Sequence, residues 1–481
     1  MSRVPVKPTL SSPPSSSSAT LARVPLQCTL SPGQVLRLMA QREPLPFALS
    51  GMWAQPPHPP HSSHGGGAIV GADPLRVAAD TEDPFALLDA LPSMATDADA
   101  VPATPGAVGG GWFGWLGYRL AARVERIPLN AHRPVALPDF HLAYYDNVLR
   151  RTPDGQWWFE ALVTEARREA LEQRRRHLTD LLRGPVPPAP PPHVSELHLS
   201  AHDADHHLDA VARCRRRIAA GEIFQANLCL RLRGETDARA TDLFAAALEQ
   251  VDPGYGATFA TPRGGIASLS PELSLRRRGR HIVTGPIKGT IARDPDPVVA
   301  AAALDTLRGS VKDAAEHVMI VDLMRNDLGR VCEYGTIVAP RRPTAEPHPG
   351  LWHLVSHVHG RLRPGVTDAD VLRATFPPGS VTGAPKVQSL RVIAELEPAG
   401  REVYTGAVGF ASPVAGLELN VAIRTLELAD GHVWLGAGGG IVADSDPHTE
   451  LEEALTKARP IAAAVGTTVD VQRRALATRA A

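Results

Sequence analysis

Cysteine, aromatic residues, net charge and long apolar runs are all scarce in this chain. Its 481 residues hold 4 cysteines, Cys28, Cys214, Cys229 and Cys332, none in CxxC spacing. That excludes a zinc ribbon and a disulfide framework and leads us to expect a reducing, cytoplasmic compartment. Aromatics make up 5% of the chain and the formal charge is −1, so no global field draws it to nucleic acid or an anionic membrane. The runs Arg215-Arg216-Arg217 and Arg276-Arg277-Arg278 lack the aromatic interleaving of a nucleic-acid track. No apolar run approaches the roughly 20 residues that span a bilayer. Neither nucleic acid nor membrane is an expected partner. Two phosphate signatures are missing as well. The glycines at 109–118 do not follow the strand–GxGxxG–helix order, and Thr382-Gly383-Ala384-Pro385-Lys386 lacks the spacing of a phosphate-cradling loop, so phosphoryl transfer is disfavoured.

What is present suits a globular enzyme: 43% hydrophobic and 21% charged residues, in a length for one large domain or two ordinary ones. Residues 1–28, rich in serine, proline and arginine, overlap in composition with organellar transit peptides and read as a disordered tail. Residues 29–183 form an N-terminal region. It has a short helix at 34–41, strands at 47–53 and 68–71 joined by a Pro/His/Gly loop at 56–67, strands at 140–149 and 156–163, and a charged helix at 164–183. The proline-rich segment Pro185 to Pro192 marks a linker, taken as 184–204. Residues 205–465 read as the catalytic domain, with a helix at 203–220 and a strand at 223–232. Residues 466–481 read as a C-terminal tail. Strands and helices mix without a regular β–α repeat, so the expected class is α+β.

Three groups of residues carry chemistry. The stretch Thr284-Gly285-Pro286-Ile287-Lys288-Gly289-Thr290 places one lysine at the tip of a tight loop among small and apolar neighbours. Desolvation there disfavours the ammonium form and makes Lys288 a candidate amine nucleophile. Two helices open with carboxylates three apart, Asp313 with Glu316 and Glu450 with Glu453, each pair sharing a face. Such oxygen-only sets suit Mg²⁺ better than zinc, and they equally complement helix dipoles. Gly436 to Ile441 can offer backbone N–H groups to a carboxylate, and Arg424, read within a strand at 420–428, can clamp one bidentately.

Taken together, these segments resemble the chorismate-utilising enzymes: the large subunits of aminodeoxychorismate and anthranilate synthases, and the isochorismate and salicylate synthases. The matching motifs run in order. They are Gly221 to Leu228; Ser270-Pro271-Glu272; Pro286-Ile287-Lys288-Gly289-Thr290; Glu316-His317 through Asp322 to Asp327; Trp352 to Ser356; Thr382 to Lys386; Tyr404 to Gly409; Ile423-Arg424-Thr425; and Gly438 through Glu453. The resemblance spans about residues 205–465 and extends weakly to 109–118. It implies two packed, orthogonal β-sheets flanked by helices in four α/β/β/α layers, with the site between them. It also implies that Glu316 and Glu453 hold Mg²⁺, with Asp313 and Glu450 close by. Arg424, Tyr404 and the backbone of Gly438 and Gly440 would hold the enolpyruvyl carboxylate, with Lys457 also binding substrate. Thr382 and His353 would line the ring.

Within that family, the hydroxyl-adding branch carries a lysine where this chain has Gln225, which cannot deprotonate water. Anthranilate synthases typically carry alanine at the position of Lys288, whereas aminodeoxychorismate synthases resemble this chain in carrying PIKGT. The implied reaction is amination of chorismate at C4 for p-aminobenzoate and folate, or a related aminobenzoate product. Lys288 would act as nucleophile and Glu272 as acid, and ammonia would come from a separate glutamine amidotransferase subunit. The alternative is the anthranilate-forming component of tryptophan biosynthesis. Ala48-Leu49-Ser50-Gly51 departs from the LLES-like signature of tryptophan-regulated relatives, which argues against inhibition by tryptophan.

Overall fold

The computed structural model describes residues 18–55, 67–94, 106–130, 132–188, 191–294, 296–348 and 351–472; side chains at 311–313 and 347–348 are outside the description. The Pro/His/Gly loop at 56–66 and residues 1–17 therefore lie outside the described residues, as does the chain beyond 472.

Among the described residues the strands form a 14-stranded, an 8-stranded and a 3-stranded sheet. The two large sheets pack face to face over a core that takes Phe47, Tyr255, Phe259 and Trp434 from one and Phe113, Trp115, Val408 and Phe410 from the other. Helices Pro32–Arg42, Ala240–Ala247 and Pro447–Ala464 cover the outer face of the larger sheet through Leu36, Leu243 and Leu455. Helices Val311–Gly329 and Asp368–Thr375 cover the outer face of the smaller through Ile320, Met324 and Leu372. The class is α+β, in helix, sheet, sheet, helix order. Central strands covered on both faces lose the apolar–polar alternation of half-exposed ones. Phe47–Gly51 and Gly111–Leu116 are accordingly buried at every position.

The N-terminal region and the catalytic part share these sheets. Phe47–Gly51 pairs with Tyr255–Thr261, and Gly111–Leu116 pairs with Ala407–Ser412. Both ends and the linker also differ from the sequence expectation. Ser18–Leu26, expected in the tail, is a strand against Trp157–Val163. Its polar Arg23 hid that role, and is accommodated by stacking on Trp158 at 3.8 Å and pairing with Glu160 at 3.1 Å. Leu197–Leu199, in the expected linker, and Val469–Val471, in the expected C-terminal tail, pair in parallel at the sheet edge.

Two expected strands are each broken in two because the chain changes sheets. The span 140–149 divides at Asp146: Phe140–Tyr145 lies in the smaller sheet and Asn147–Arg151 in the larger. The span 420–428 divides likewise. Gly416–Val421 ends in the smaller sheet and Thr425–Ala429 begins in the larger, with Arg424 between them at φ +51°. Arg424 is therefore a corner residue and not a strand residue. A third crossing passes through Glu272, from Gly264–Ser270 to Leu273–Arg278.

The crossings are tied to each other by backbone bonds. Val421 N–H donates to Glu272 O at 3.0 Å, Leu269 N–H donates to Arg424 O at 2.9 Å, and Ser270 Oγ donates to Val421 O at 2.6 Å. Nearby, Arg401 is 3% exposed and pairs with Glu397 at 2.6 Å while donating to Val381 O at 2.8 Å and to Asn227 O. One guanidinium thus joins the 379–381 turn, the strand Gln225–Glu235 and the segment leading to Tyr404. Removing one member of such a pair leaves a buried charge uncompensated. Glu397→Leu is expected to lower unfolding free energy by about 3–5 kcal/mol, read from urea midpoints; a loss under 1 kcal/mol would show that Arg401 finds other partners.

Candidate active site

The strand His281–Gly285 leaves the smaller sheet, passes Pro286, and continues as Ile287–Ala292 in the three-stranded sheet. Its ladder with Leu351–Val355 skips from Ile287–Val355 to Thr290–His353, so Lys288 and Gly289 together face Leu354. This bulge turns Lys288 out of the ladder. Gly289 is required there: its φ is +79°, and a Cβ would sit 3.1 Å from both Leu307 and Leu354.

Lys288 is half-buried. Desolvation holds its pKa below the ordinary lysine value, with Lys457 acting in the same sense and Glu316, Glu272 and Glu453 opposing. Glu272, 4% exposed, is the reciprocal case. Burial pushes it up to about 7, against the Ser380 hydroxyl, Lys288, the Ile287 N–H and Arg424. An amine with reduced proton affinity next to a carboxyl that can hold a proton at neutral pH provides a nucleophile and an acid.

Arg424 is half-buried, and desolvation lowers its pKa while Glu272 raises it. Among the described residues it has no ion-pair partner within 4.0 Å, so its guanidinium remains available to an incoming carboxylate. His353 is buried, its Nδ1 2.7 Å from Thr290 Oγ1. Thr382 is fully buried and donates its hydroxyl to Gly379 O at 3.0 Å.

The carboxylates come from helices on opposite outer layers. Glu316 lies half-buried on Val311–Gly329 and acts electrostatically on Lys288; the side chain of Asp313, on the same helix, is outside the described residues. Pro447–Ala464 starts at the N-cap Asp446, whose side chain accepts from Thr449 N–H, with Pro447 at the first position. That start puts Glu450 and Glu453 in the early turns. Glu450 is buried and accepts from Ser445 Oγ at 2.6 Å. Glu453 pairs with Lys457 at 2.8 Å, and Lys457 also donates to Gly438 O at 3.1 Å. A Cβ at Gly439 would lie 3.3 Å from Glu450 Oε2, 3.6 Å from Lys457 Nζ and 3.9 Å from Glu453 Oε1. The missing side chain leaves a cradle edged by two carboxylates, of which Glu453 already pairs with the Lys457 ammonium, and this donor set fits a hard divalent cation.

Lys288, Glu272, Glu316, Glu453, Lys457 and Arg424 thus share one electrostatic neighbourhood. Tyr404 sits to one side: its ring lies beneath Gly436, where a Cβ would be 2.4 Å away, and its hydroxyl is 3.8 Å from Cys229 Sγ. Gly440 is covered by the Gln225 side chain, whose Oε1 is buried without a hydrogen-bond partner. A cavity of about 480 Å³ lined by His206, Cys229, Arg401, Tyr404 and Trp434 adjoins this region but includes neither Lys288 nor Glu272. Ser380 and Ser445 were not selected from sequence. Ser380 stands two residues before Thr382 and Ser445 one before the N-cap Asp446, which is the signal that would have drawn attention to them.

A half-buried lysine and a buried carboxyl of raised proton affinity lie where strands change sheets, with acids from two helices acting on the lysine. The chain belongs to the chorismate binding enzyme family, whose pattern matches residues 60–463. It is 37% identical over 416 residues to anthranilate synthase component 1 of Streptomyces coelicolor, covering 83% of this chain and 80% of that one. It is 35% identical over 356 residues to aminodeoxychorismate synthase component 1 of Klebsiella aerogenes, covering 73% and 76%. The solved anthranilate synthase component I of Streptococcus pneumoniae superposes with a TM-score of 0.70 at 27% identity, covering 84% of this chain and 93% of that one. The family match extends well upstream of residue 205, as the shared sheets require. Among the described residues, no helix is long and apolar enough to cross a membrane.

Glu272 makes pH a test of this geometry. Its value rises from 4.5 to about 7 on folding, so the native state binds more protons than the unfolded one in that window. The stability it contributes is complete below about 4.5 and is lost as pH rises through about 7. Glu272→Gln is expected to flatten the pH dependence of the urea midpoint between those values and to lower kcat roughly 10²–10⁴-fold. An unchanged slope would mean that Glu272 does not titrate there.

Proposed function

We propose that this chain aminates chorismate at C4, giving 4-amino-4-deoxychorismate, with ammonia supplied by a separate glutamine amidotransferase subunit. The observation that carries this reading is Lys288 itself, re-aimed by a glycine bulge and held at reduced proton affinity beside Glu272. The neutral amine adds at ring C2, the two ring double bonds shift, and the C4–O bond breaks. Glu272 gives its proton to the departing hydroxyl, which leaves as water. Its carboxylate then takes the proton from the alkylated Lys288 nitrogen. Ammonia adds at C4, the double bonds return, and Glu272 gives its proton back to the Lys288 nitrogen as the C2–N bond breaks; the new C4 ammonium then passes a proton to the Glu272 carboxylate, restoring both groups. Two displacements replace one difficult step.

Arg424 would hold the enolpyruvyl carboxylate, and His353 and Thr382 would border the ring. Glu316, Glu450 and Glu453, with Asp313, would hold Mg²⁺, which when bound neutralises the ring carboxylate. The product leads to p-aminobenzoate, and hence to folate or an aminobenzoate-derived metabolite. Component 1 in the names of relatives is consistent with a partner subunit. A second reading, anthranilate formation, is favoured by the 37% identity to the Streptomyces coelicolor protein.

Purified chain with chorismate, Mg²⁺ and an ammonium salt is expected to yield a product that added aminodeoxychorismate lyase converts to p-aminobenzoate. Anthranilate fluorescence without the lyase would overturn the assignment. Lys288→Ala is expected to lower kcat with little change in KM for chorismate, since the bond it forms contributes after binding. A variant with the wild-type rate would exclude the covalent route.

A further inference from the structure

The helix bearing Glu316 and the strand bearing Lys288 meet through a contact that the reaction above does not use. His317 is 2% exposed, and its Nε2 lies 2.6 Å from the Oγ of Ser356, itself 1% exposed. Ser356 donates its own N–H to Pro286 O at 3.3 Å, and the adjacent Val355 pairs with Ile287. The chain of contacts therefore runs from the helix, through one serine, to the two residues that precede Lys288.

The bulge makes this anchorage matter. Lys288 and Gly289 stand opposite the single Leu354, so the ladder does not itself fix where the lysine points. On the far side the bulge is held by Thr290 Oγ1 against His353 Nδ1 at 2.7 Å. On the near side its hold on the helix is Ser356 and His317. The Nδ1 of His317 is buried with no hydrogen-bond partner. A proton there would be a buried donor without an acceptor, so the hydrogen-bond network assigns the proton to Nε2, donating to Ser356 Oγ.

We propose that His317 is a positioning residue which, through Ser356, sets the spacing between the Lys288 strand and the Glu316 helix and so aims the lysine amine at the ring carbon it attacks. The inference rests on the covalent role of Lys288 proposed above. His317 touches neither substrate nor reacting atoms in this account; its neighbour Glu316 acts electrostatically on Lys288, while His317 contacts Ser356.

The test is a double-mutant cycle in the full chain with Ser356→Ala and His317→Leu, following ammonium-dependent loss of chorismate whatever the product. Each single change is expected to lower kcat roughly tenfold, the scale of one lost hydrogen bond to an aligned group, with KM for chorismate nearly unchanged. The double variant should be no slower than the slower single, because both remove the same bond. His317→Gln, whose amide nitrogen can reach Ser356, should recover most of the rate. In a Lys288→Ala background, Ser356→Ala should leave the residual rate unaltered, because no lysine remains to be aimed; a purely structural role would still slow it. Multiplying losses in the double variant, Ser356→Ala at the wild-type kcat, or slowing that persists without Lys288 would each overturn the proposal. Should His317→Leu not fold, Ser356→Ala and its Lys288→Ala combination still decide it. Product identity is read separately: anthranilate would defeat the proposed function, while the cycle reports on the strut.

Discussion

The site depends on how two large sheets exchange strands. A strand that leaves one sheet for another must turn at a corner, and a corner side chain faces the seam instead of either core. Glu272 and Arg424 occupy two such corners, and these are bonded to each other through Val421 N–H to Glu272 O and Leu269 N–H to Arg424 O. Their juxtaposition is therefore a property of the backbone and not of two flexible side chains. Arg424 adopts φ +51° to make its turn, a local strain that the surrounding ladder sustains. A carboxyl and a guanidinium fixed at the same seam, each partly stripped of water, then shape each other's proton affinity. Lys288 enters by a third departure, from the smaller sheet into the three-stranded one.

Desolvation alone would leave these groups unstable neighbours. The acids on the two outer helix layers offset it: Glu316 and Glu453 raise the proton affinity of Lys288 while burial and Lys457 lower it. The balance is set by residues far apart in sequence, brought together because their helices lie on the two outer layers of the same pair of sheets. It also explains why the glycine strand matters. Gly436 admits the Tyr404 ring, Gly440 admits Gln225, and Gly439 leaves room above Glu450 and Glu453. Three glycines within five positions thus serve two faces of one strand, and any side chain at them would displace a different neighbour.

Much of this was legible from residue patterns, and what was not has physical reasons. Helices announced themselves through i,i+3 acids: Asp313 with Glu316 marked one and Glu450 with Glu453 the other, although the second helix starts earlier, at Pro447 behind the N-cap Asp446. Lys288, expected at the tip of a loop, instead lies in a bulge of the strand Ile287–Ala292, because the partner strand Leu351–Val355 that draws it into a ladder is distant in sequence. The sheet crossings were not legible either. Phe140 to Leu149 and Asn420 to Leu428 each read as one strand because both halves are β-rich, and nothing local distinguishes a strand that changes partners. Ser18–Leu26 was missed because it carries Arg23, whose partners Trp158 and Glu160 lie more than a hundred residues away. The N-terminal region looked separable for the same reason, since shared sheets are a non-local fact. Tyr404 was grouped with the carboxylate clamp by resemblance, yet its hydroxyl turns toward Cys229, so the backbone of its segment, held by Glu427 at Val403 and Tyr404 N–H, is the part directed by the fold.

The bulge at Lys288 shows how one backbone can serve different chemistry. The conformation there is demanded by Gly289, whose positive φ and narrow surroundings exclude a side chain, and by anchors at Ser356 and His353 on either side. None of these requirements involves the side chain at 288. Alanine at that position would keep the corners, the carboxylates around Gly439 and the Arg424 guanidinium in place, and would remove only the amine. Under the reaction proposed above, one substitution would therefore separate a covalent route from direct ammonia attack. Identity over the rest of the chain is a weak guide to product for the same reason, since relatives of both kinds match it about equally well.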